Sequence, residues 1–597
     1  MILEKRHLIT TANECSWKFD RPVLFLGEWC RLYDRKQVWE GMDGIVAEPY
    51  GLEDGQKEHD IAYIQSLSMQ LLVELTDALN AVHSTSHGTR YWEIVLGHWL
   101  QRYVAVIFNR YFTLDQALNN YDVPGSTVFD SKAYSLATAD SMGFIWACND
   151  DVWNHVLYSK ILNYWGNIEV EFDDECIRGL HGFVLAEKSC FAPRAGGRQL
   201  ILNAIHKITQ IFSREQDAFI VNSFLPMREE IKLQLSFLQC PQLWRSPKLQ
   251  VVSPDMGKRR SFGIDTKSHQ GFERFVRLLL CEVIPTCYLE GYSQMVQQME
   301  QLSWPSKPKF IFTSNIFDTD ELFKSWVGSR VEEGIPYFVG QHGNNYGTHL
   351  YFGNKLWPEF TTSDNFFTWG WTNGISKNIP AFVYKVVGQK YQSKESEGGL
   401  LLIELHPPYR IVPEDSDFEF GIYQEEQFRF VEALPDDITQ KLTVRLHSGY
   451  REFRWFDEQR WKDRSPFTII ETGLVPIQQL IAKSRLVIYS YDSTGVIESL
   501  ALNVPMMCFW HGGLDHLLPS AKPYYELLRS ANILADTPEQ AAEFVALHWD
   551  NINEWWESPK VQGARKTFCD QYARVEKKPI RTLRKLLINY ANQGNRI

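Results

Sequence analysis

The chain has 597 residues, 44% apolar and 22% charged, the balance of a globular protein rather than a disordered or fibrous one. At roughly 150 residues per domain this length allows three or four folding units, or two large α/β domains with insertions. With 61 Lys and Arg against 73 Asp and Glu the net charge is -12, which speaks against non-specific nucleic-acid binding.

The N-terminal segment MILEKRHLITTANEC has no apolar signal-peptide core, and no apolar run of about 18 residues follows anywhere. A cytoplasmic protein is expected. Residues 22–26, PVLFL, are the first strand signal, ending on Gly27 and Glu28 as a buried parallel strand opens into a loop. Segment 41–60 reads as a Gly- and acid-rich loop. Ile64, Leu67, Leu71, Leu72, Leu75, Leu79 and Val82 recur at helical spacing, and a second helix is expected over 90–118. Residues 125–265 do not separate an inserted subdomain from an elaborated Rossmann half. Helices over 149–163 and 198–213 and a strand fragment at 168–170 are expected there. A helical region over 270–303 is interrupted near Pro285.

From 308 onward short strands alternate with helices. Strands are expected at 310–313, 337–339, 366–370, 381–387, 400–405, 441–446, 485–490 and 506–510. Helices are expected at 319–332, 494–503, 521–529 and 536–549, with a basic helix near 574–590. That alternation implies parallel sheet with right-handed crossovers. The expected fold is therefore α/β, two Rossmann-like domains facing a cleft, with a helical elaboration of the first. The expected units are 1–370 on the acceptor side, 371–550 on the donor side, and C-terminal helices over 551–597 that pack back on the first domain. The ligand site is expected in the cleft at the carboxyl ends of the strands.

The sharpest local unit is 485–505. A buried strand ending at Ser490 is followed by Tyr491-Asp492-Ser493-Thr494-Gly495, an apolar helix and a further strand. A helix N-terminus exposes unpaired N–H groups and carries about half a positive charge, so this loop is a seat for phosphate. Ser493 and Thr494 add hydroxyls, and Glu498, one turn on, is placed for ribose hydroxyls. The plainer reading is that Asp492 or Ser493 only caps the helix.

The turn Gln341-His342-Gly343-Asn344-Asn345-Tyr346-Gly347 follows a buried strand, and His342 suits acid, base or phosphate-donor roles. Asp364 downstream either orients a group in the cleft or caps a helix. His406 and His447 leave strands of the second sheet at their carboxyl ends. Arg445, inside an apolar strand, calls for an anionic partner. Glu28 is the first domain's candidate base. His98 and Arg102, four residues apart on a helix, either reach the same cleft or only stabilise the domain. The ten cysteines form no CxxC pair and their scatter reads as a reducing compartment. HExxH, strand-end DxD, GxGxxG and Walker patterns are all missing, so no metal site is expected.

The segment SYDSTGVIESLALNVPMMCFW, 490–510, resembles the donor-site segment of two-domain, metal-independent glycosyltransferases of the GT-B type and of related glycerophosphate polymerases. FVGQHGNNYG, 338–347, is similar to the QHG turn of their first domain. Together with LFLGEWC, RYWEIVLGHWL and FFTWGW, the chain resembles a bacterial family of transferases associated with O-antigen and other surface-polysaccharide gene clusters. LIELHPPY and VRLHSGY are similar to strand-end elements of that family, with His-Ser at 447–448 where His-Pro is usual.

The resemblance implies a glycosyltransferase with no cofactor beyond its nucleotide-sugar co-substrate, a CMP-linked acidic sugar being favoured. The acceptor would be a saccharide or lipid-linked saccharide of lipopolysaccharide biosynthesis. Nucleotide contacts would come from Ser493, Thr494 and Glu498, and phosphate or acidic-sugar contacts from Arg445 and His447. His342 and Glu28 would face the cleft. A CDP-polyol phosphotransferase of the same fold and a non-catalytic saccharide-binding scaffold are the alternatives. The basic segment 565–587 leaves open a peripheral contact with the inner membrane, beside the reading that it packs on the first domain.

Overall fold

The computed structural model describes residues 4–129, 134–173, 175–182, 209, 211–351, 357–391, 398–405, 417–451 and 454–594. Among them the strands form three five-stranded sheets, every neighbouring pair parallel. The α/β, Rossmann-like class is as expected, but the count differs. The first 370 residues contain most of two sheets rather than one.

The first sheet runs β3-β2-β1-β4-β5, from β1 (His7–Ile9), β2 (Val23–Phe25), β3 (Gly44–Val46), β4 (Gly125–Val128) and β5 (Glu169–Phe172). The second runs β10-β9-β8-β7-β6, from β6 (Phe219–Ile220), β7 (Ile311–Thr313), β8 (Tyr337–Gly340), β9 (Asn365–Thr368) and β10 (Asn378–Pro380). The third runs β13-β12-β11-β14-β15, from β11 (Gly399–Ile403), β12 (Leu442–Arg445), β13 (Ile469–Glu471), β14 (Ser484–Tyr489) and β15 (Met506–Cys508). The first and third sheets share one strand order and therefore one kind of switch point, between β1 and β4 and between β11 and β14. The second is wound in a single direction and has none.

Central strands such as β2, β8 and β14 are buried on both faces, which is why they read as unbroken apolar runs. Two long helices, Gln56–His83 and Thr89–Asn120, pack together, and the second buries Trp92, Trp99 and Tyr103. The second of them also joins the first two sheets. Its Tyr91 hydroxyl lies 2.8 Å from that of Tyr292, and its Arg102 pairs with Asp318 at 3.2 Å. Tyr33 donates to Asp463 at 2.7 Å and Arg454 pairs with Asp151 at 2.8 Å, tying the first sheet to the third.

The last helix, Pro579–Gly594, lays Leu583, Leu587 and Ala591 on the second sheet beside Phe310, Phe338 and Phe367. Its two leucines are fully buried and contribute roughly 4 kcal/mol together. Several of the basic residues proposed for lipid instead close carbonyls within the protein. Arg565 donates to Leu500 O at 2.8 Å, Arg574 to Gly370 O at 3.2 Å and Arg584 to Ser236 O at 2.9 Å. No helix among the described residues is long and apolar enough to cross a membrane.

Three expectations are corrected. A strand precedes 22–26, namely β1. Residues 381–387 are not a strand, because their apolar side chains are buried under the last helix instead of pairing in a sheet. Cys15 is disulfide-bonded, so not every cysteine is the free thiol that the missing CxxC pairs suggested, although seven others among the described residues are. Much of the helix expected at 198–213 lies outside the described residues.

Candidate functional site

The carboxyl edge of the second sheet is built around the turn after β8. Gln341 is buried and explains the motif. Its Oε1 accepts from the Trp369 N–H and from the Trp371 indole, both at 2.8 Å, while its Nε2 donates to Gly343 O at 2.7 Å. The turn closes at Gly347, at φ +76°, where a Cβ would meet the Trp371 ring at 2.5 Å.

His342 is thereby held half-buried, with the Phe224 and Phe317 rings each 5.9 Å away. Burial lowers its pKa to about 4, so the imidazole is neutral at pH 7. Behind it the Tyr346 hydroxyl lies 3.4 Å from Nδ1 and donates to Glu359 Oε1 at 2.7 Å. Burial raises Glu359 to about 7, and its other oxygen lies 3.6 Å from His98 Nε2. Burial also opposes ionisation of Asp318, but Arg102 beside it prevails and holds that carboxyl at about 2.

The carboxyl edge of the third sheet faces this turn. The helix Thr494–Leu502 starts directly after β14 with Ser493 as N-cap, yet the Ser493 side chain caps nothing. Its buried Oγ has no close hydrogen bond beyond an interaction with the Tyr491 phenol, and the buried Nε of Arg445 has only a long ion pair, 3.8 Å, with Glu471. Tyr491 lies among these groups. Burial raises its phenol pKa, while the Ser493 hydroxyl and the Arg445 charge act to lower it. Weakly paired buried polar groups are costly unless a ligand satisfies them.

Three contacts join the two edges. A Cβ on Gly343 would lie 3.7 Å from Thr494 Oγ1, so the turn and the helix start are direct neighbours. Asn344 donates to Asp492 Oδ1 at 2.8 Å. Lys385, in the buried segment after β10, pairs with Glu498 at 3.2 Å and sits 4.9 Å over the Phe224 ring.

A helix start without a side-chain cap thus faces a histidine turn across the two edges. Residues 6–587 match the model of a protein family described as the LIC12162 family transferase. The chain belongs to that family. No curated protein matches the transferase. Solved structures similar to it include the wall teichoic acid polymerase TagF, at 11% identity over 48% of this chain and 73% of that one, with a TM-score of 0.29. The S. aureus MnaA–UDP co-structure shares 14% identity over 51% and 81% of the two chains, with a TM-score of 0.33. Acinetobacter baumannii MurG shares 12% over 50% and 77%, with a TM-score of 0.28. Such remote likenesses add nothing to the strand orders above.

The structure of the transferase brings His342, Arg445, Ser493, Thr494 and Glu498 to facing edges of two sheets. Other expected residues are committed elsewhere. Ser490 is buried and occupied, with Gln427 at 3.1 Å, Tyr423 at 3.0 Å and Ile403 O at 3.3 Å, so it fastens a helix to the sheet. Asp364 sits at the amino end of β9, where it accepts the Tyr337 N–H at 2.8 Å and pairs with Arg90 at 2.8 Å. The strand length, roughly 15 Å, separates it from His342.

Glu28 lies on the first sheet and pairs with Arg31 at 2.5 Å. His447 is exposed, its Nδ1 accepting from the Gly449 N–H at 3.1 Å. His406 lies outside the described residues.

Asp492 is not open to a nucleotide. Buried beside His349 and His516, each Nε2 3.1 Å from its Oδ2, it stays ionised far below the usual carboxylate range, the two imidazoles overcoming burial. Sequence reasoning missed both histidines because they lie 143 and 24 residues from Asp492. Tyr346 and Lys385 carried no signal beyond their place after strands.

Proposed function

We propose that the transferase is a nucleotide-sugar-dependent glycosyltransferase that needs no metal on the donor phosphates. The reading is supported by two buried, weakly partnered polar atoms, Ser493 Oγ and Arg445 Nε, at the carboxyl edge of the third sheet beside a helix start without a side-chain cap. In this reading the N-terminus of helix Thr494–Leu502 and the Ser493 and Thr494 hydroxyls take the donor phosphates. Arg445 takes a second anion, which favours an acidic sugar on a CMP donor. Glu498, held by Lys385, meets the ribose.

His342, neutral at working pH, removes the acceptor proton across the cleft, with Tyr346 and Glu359 fixing its ring. The developing charge on the leaving nucleotide is met by the helix dipole and Arg445. The acceptor is then a saccharide or lipid-linked saccharide of a surface polysaccharide such as O-antigen. The reaction would take place in the cytoplasm, with a peripheral membrane contact through the exposed basic residues of the C-terminal segment, Lys577, Lys578, Arg581 and Lys585.

A thermal-shift panel of CMP, CDP, UDP, GDP and TDP, each with and without EDTA, tests this. One nucleotide should raise the transition with or without chelator, and Ser493→Ala combined with Glu498→Gln should abolish the rise. No rise with any nucleotide and no donor hydrolysis would favour a saccharide-binding scaffold instead. Pelleting with anionic vesicles, compared with pelleting alone, tests the membrane contact.

A further inference from the structure

His349, Asp492 and His516 belong to three different loops. His349 lies beyond the turn after β8, Asp492 follows β14, and His516 lies in the loop after β15. The outer two loops are zipped together. Leu350 N–H donates to His516 O at 2.9 Å and Leu518 N–H to Thr348 O at 2.7 Å, forming an antiparallel bridge between His349 and Leu517. This short ladder aims both imidazoles at one point. Their Nε2 atoms each lie 3.1 Å from the same carboxylate oxygen, Oδ2, and the rings stand edge to face at 4.7 Å. The other oxygen, Oδ1, is taken by the Asn344 amide, which fixes the carboxylate plane.

From these positions we infer a zinc-type cation site, made of His349 Nε2, His516 Nε2 and Asp492 Oδ2, that staples the second sheet to the third. The ligand atoms all lie within 4.8 Å of one another. Bonds near 2.0–2.1 Å in a tetrahedral site put neighbouring ligand atoms about 3.3 Å apart, close to the 3.1 Å found for both nitrogen–oxygen pairs. Two imidazoles and one carboxylate suit zinc or another borderline transition ion rather than calcium or magnesium.

The fully buried Tyr525 hydroxyl interacts with the Asp492 carboxylate and with Thr348, so the cluster is enclosed by side chains of its own second layer. The competing arrangement is a knot of hydrogen bonds, with both Nε2 atoms protonated and donating to Oδ2. The two differ in one respect that can be measured, uptake of the ion. The staple does not depend on the proposed sugar transfer, because it concerns how two sheets are held and not what lies in the cleft.

The test uses untagged full-length protein, analysed for bound metal after dialysis and then loaded with Co²⁺ for visible spectroscopy. About one equivalent of zinc, and ligand-field bands of a low-coordinate Co²⁺ ion, are expected. His349→Gln and His516→Gln should each cut zinc retention at least about tenfold. Chelator should lower the unfolding temperature of the parent and not of these variants. Equilibrium dialysis of the parent chain against Zn²⁺ keeps the question open to refutation even where a variant does not fold. Uptake below about 0.1 equivalent at micromolar zinc would overturn the site and leave a hydrogen-bonded knot. The nucleotide-induced shift proposed above is read as a difference between samples with equal chelator, so either idea can fail without the other.

Discussion

The first and third sheets have the same strand order, and each has a switch point where parallel α/β folds hold ligands. In the first, the chain fills that place with its own side chains. The Trp29 and Trp17 indoles donate to Thr10 O and Thr11 O at 2.9 and 3.0 Å, and His155 Nδ1 lies 3.3 and 3.4 Å from the two threonine hydroxyls. All five residues are buried. In the third, the same edge holds a helix start without a side-chain cap, a Ser493 hydroxyl that meets only the Tyr491 phenol, and an Arg445 nitrogen with only a long ion pair to Glu471. Strand order thus locates two candidate crevices, and the pairing of polar atoms distinguishes them. One is plugged, and the other is the proposed donor seat.

The largest effect expected from this contrast is at His342, which faces the third sheet. His342→Ala should lower kcat by about 10²–10⁴-fold with unchanged far-UV circular dichroism, if it is the base. Turnover within about threefold of the parent would move the acceptor chemistry away from the second sheet.

The next effect concerns stability and pH. Unfolded, Glu359 loses its proton near 4.5, and folded it keeps the proton to about 7. Between those values the native state binds the extra proton, so stability falls as pH rises through the window. The full loss is about 3 kcal/mol above pH 7. Glu359→Gln retains an oxygen for the Tyr346 hydroxyl and has no charge to bury. Denaturant titrations at pH 5 and pH 8 should show the parent weakening between them and the variant much less so. Equal slopes for the two proteins would mean that Glu359 is ionised in the native state.

A crossed pair of substitutions tests plug against seat directly. Thr494→Val with Ser493→Ala should raise the donor KM about tenfold and lower stability by no more than about 1 kcal/mol, since the Tyr491 interaction with Ser493 is the internal contact at stake. Thr10→Val with Thr11→Val should do the reverse. Their hydroxyls are buried against His155, so about 1–3 kcal/mol of stability should go while donor KM holds. If the first-sheet pair changed donor KM and the third-sheet pair did not, the two crevices would exchange roles.

Sequence periodicity made the long helices legible, because Leu67, Leu71, Leu75 and Leu79 repeat over many turns. The strands β7, β8, β11 and β14 were legible too, as apolar runs that stop at small or polar residues. The strands β1, β3 and β6 were not, and since β7 is as short as β1 and β3, length alone does not separate the two groups. Missing them merged two sheets into one expected domain. Residues 381–387 failed in the opposite direction, since an apolar run reports burial and not the partner that causes it. At the site, His342, Ser493 and Thr494 could be found because they lie within five residues of the ends of β8 and β14. The His349–Asp492–His516 cluster and the Tyr346–Glu359 pair depend on loops meeting in space, and no sequence spacing encodes that.

The smallest expected effect sharpens the comparison most, and it lies on the first sheet. Glu28 was the sequence candidate for acceptor base, yet it forms a half-exposed pair with Arg31 three residues on. Exposed pairs of this kind contribute about 0–1 kcal/mol, and Arg31 is itself stacked 4.9 Å over Trp39, so the turn is held without the carboxylate. Glu28→Gln should therefore leave stability within about 0.5 kcal/mol and kcat within about twofold, measured with saturating donor and acceptor. A loss of about 100-fold in kcat at unchanged stability would instead make Glu28 the base, because a merely structural surface carboxylate has no route to such an effect. The acceptor would then be held between the first and third sheets, on the side joined by Tyr33–Asp463, and His342 would serve the donor phosphates rather than the acceptor hydroxyl.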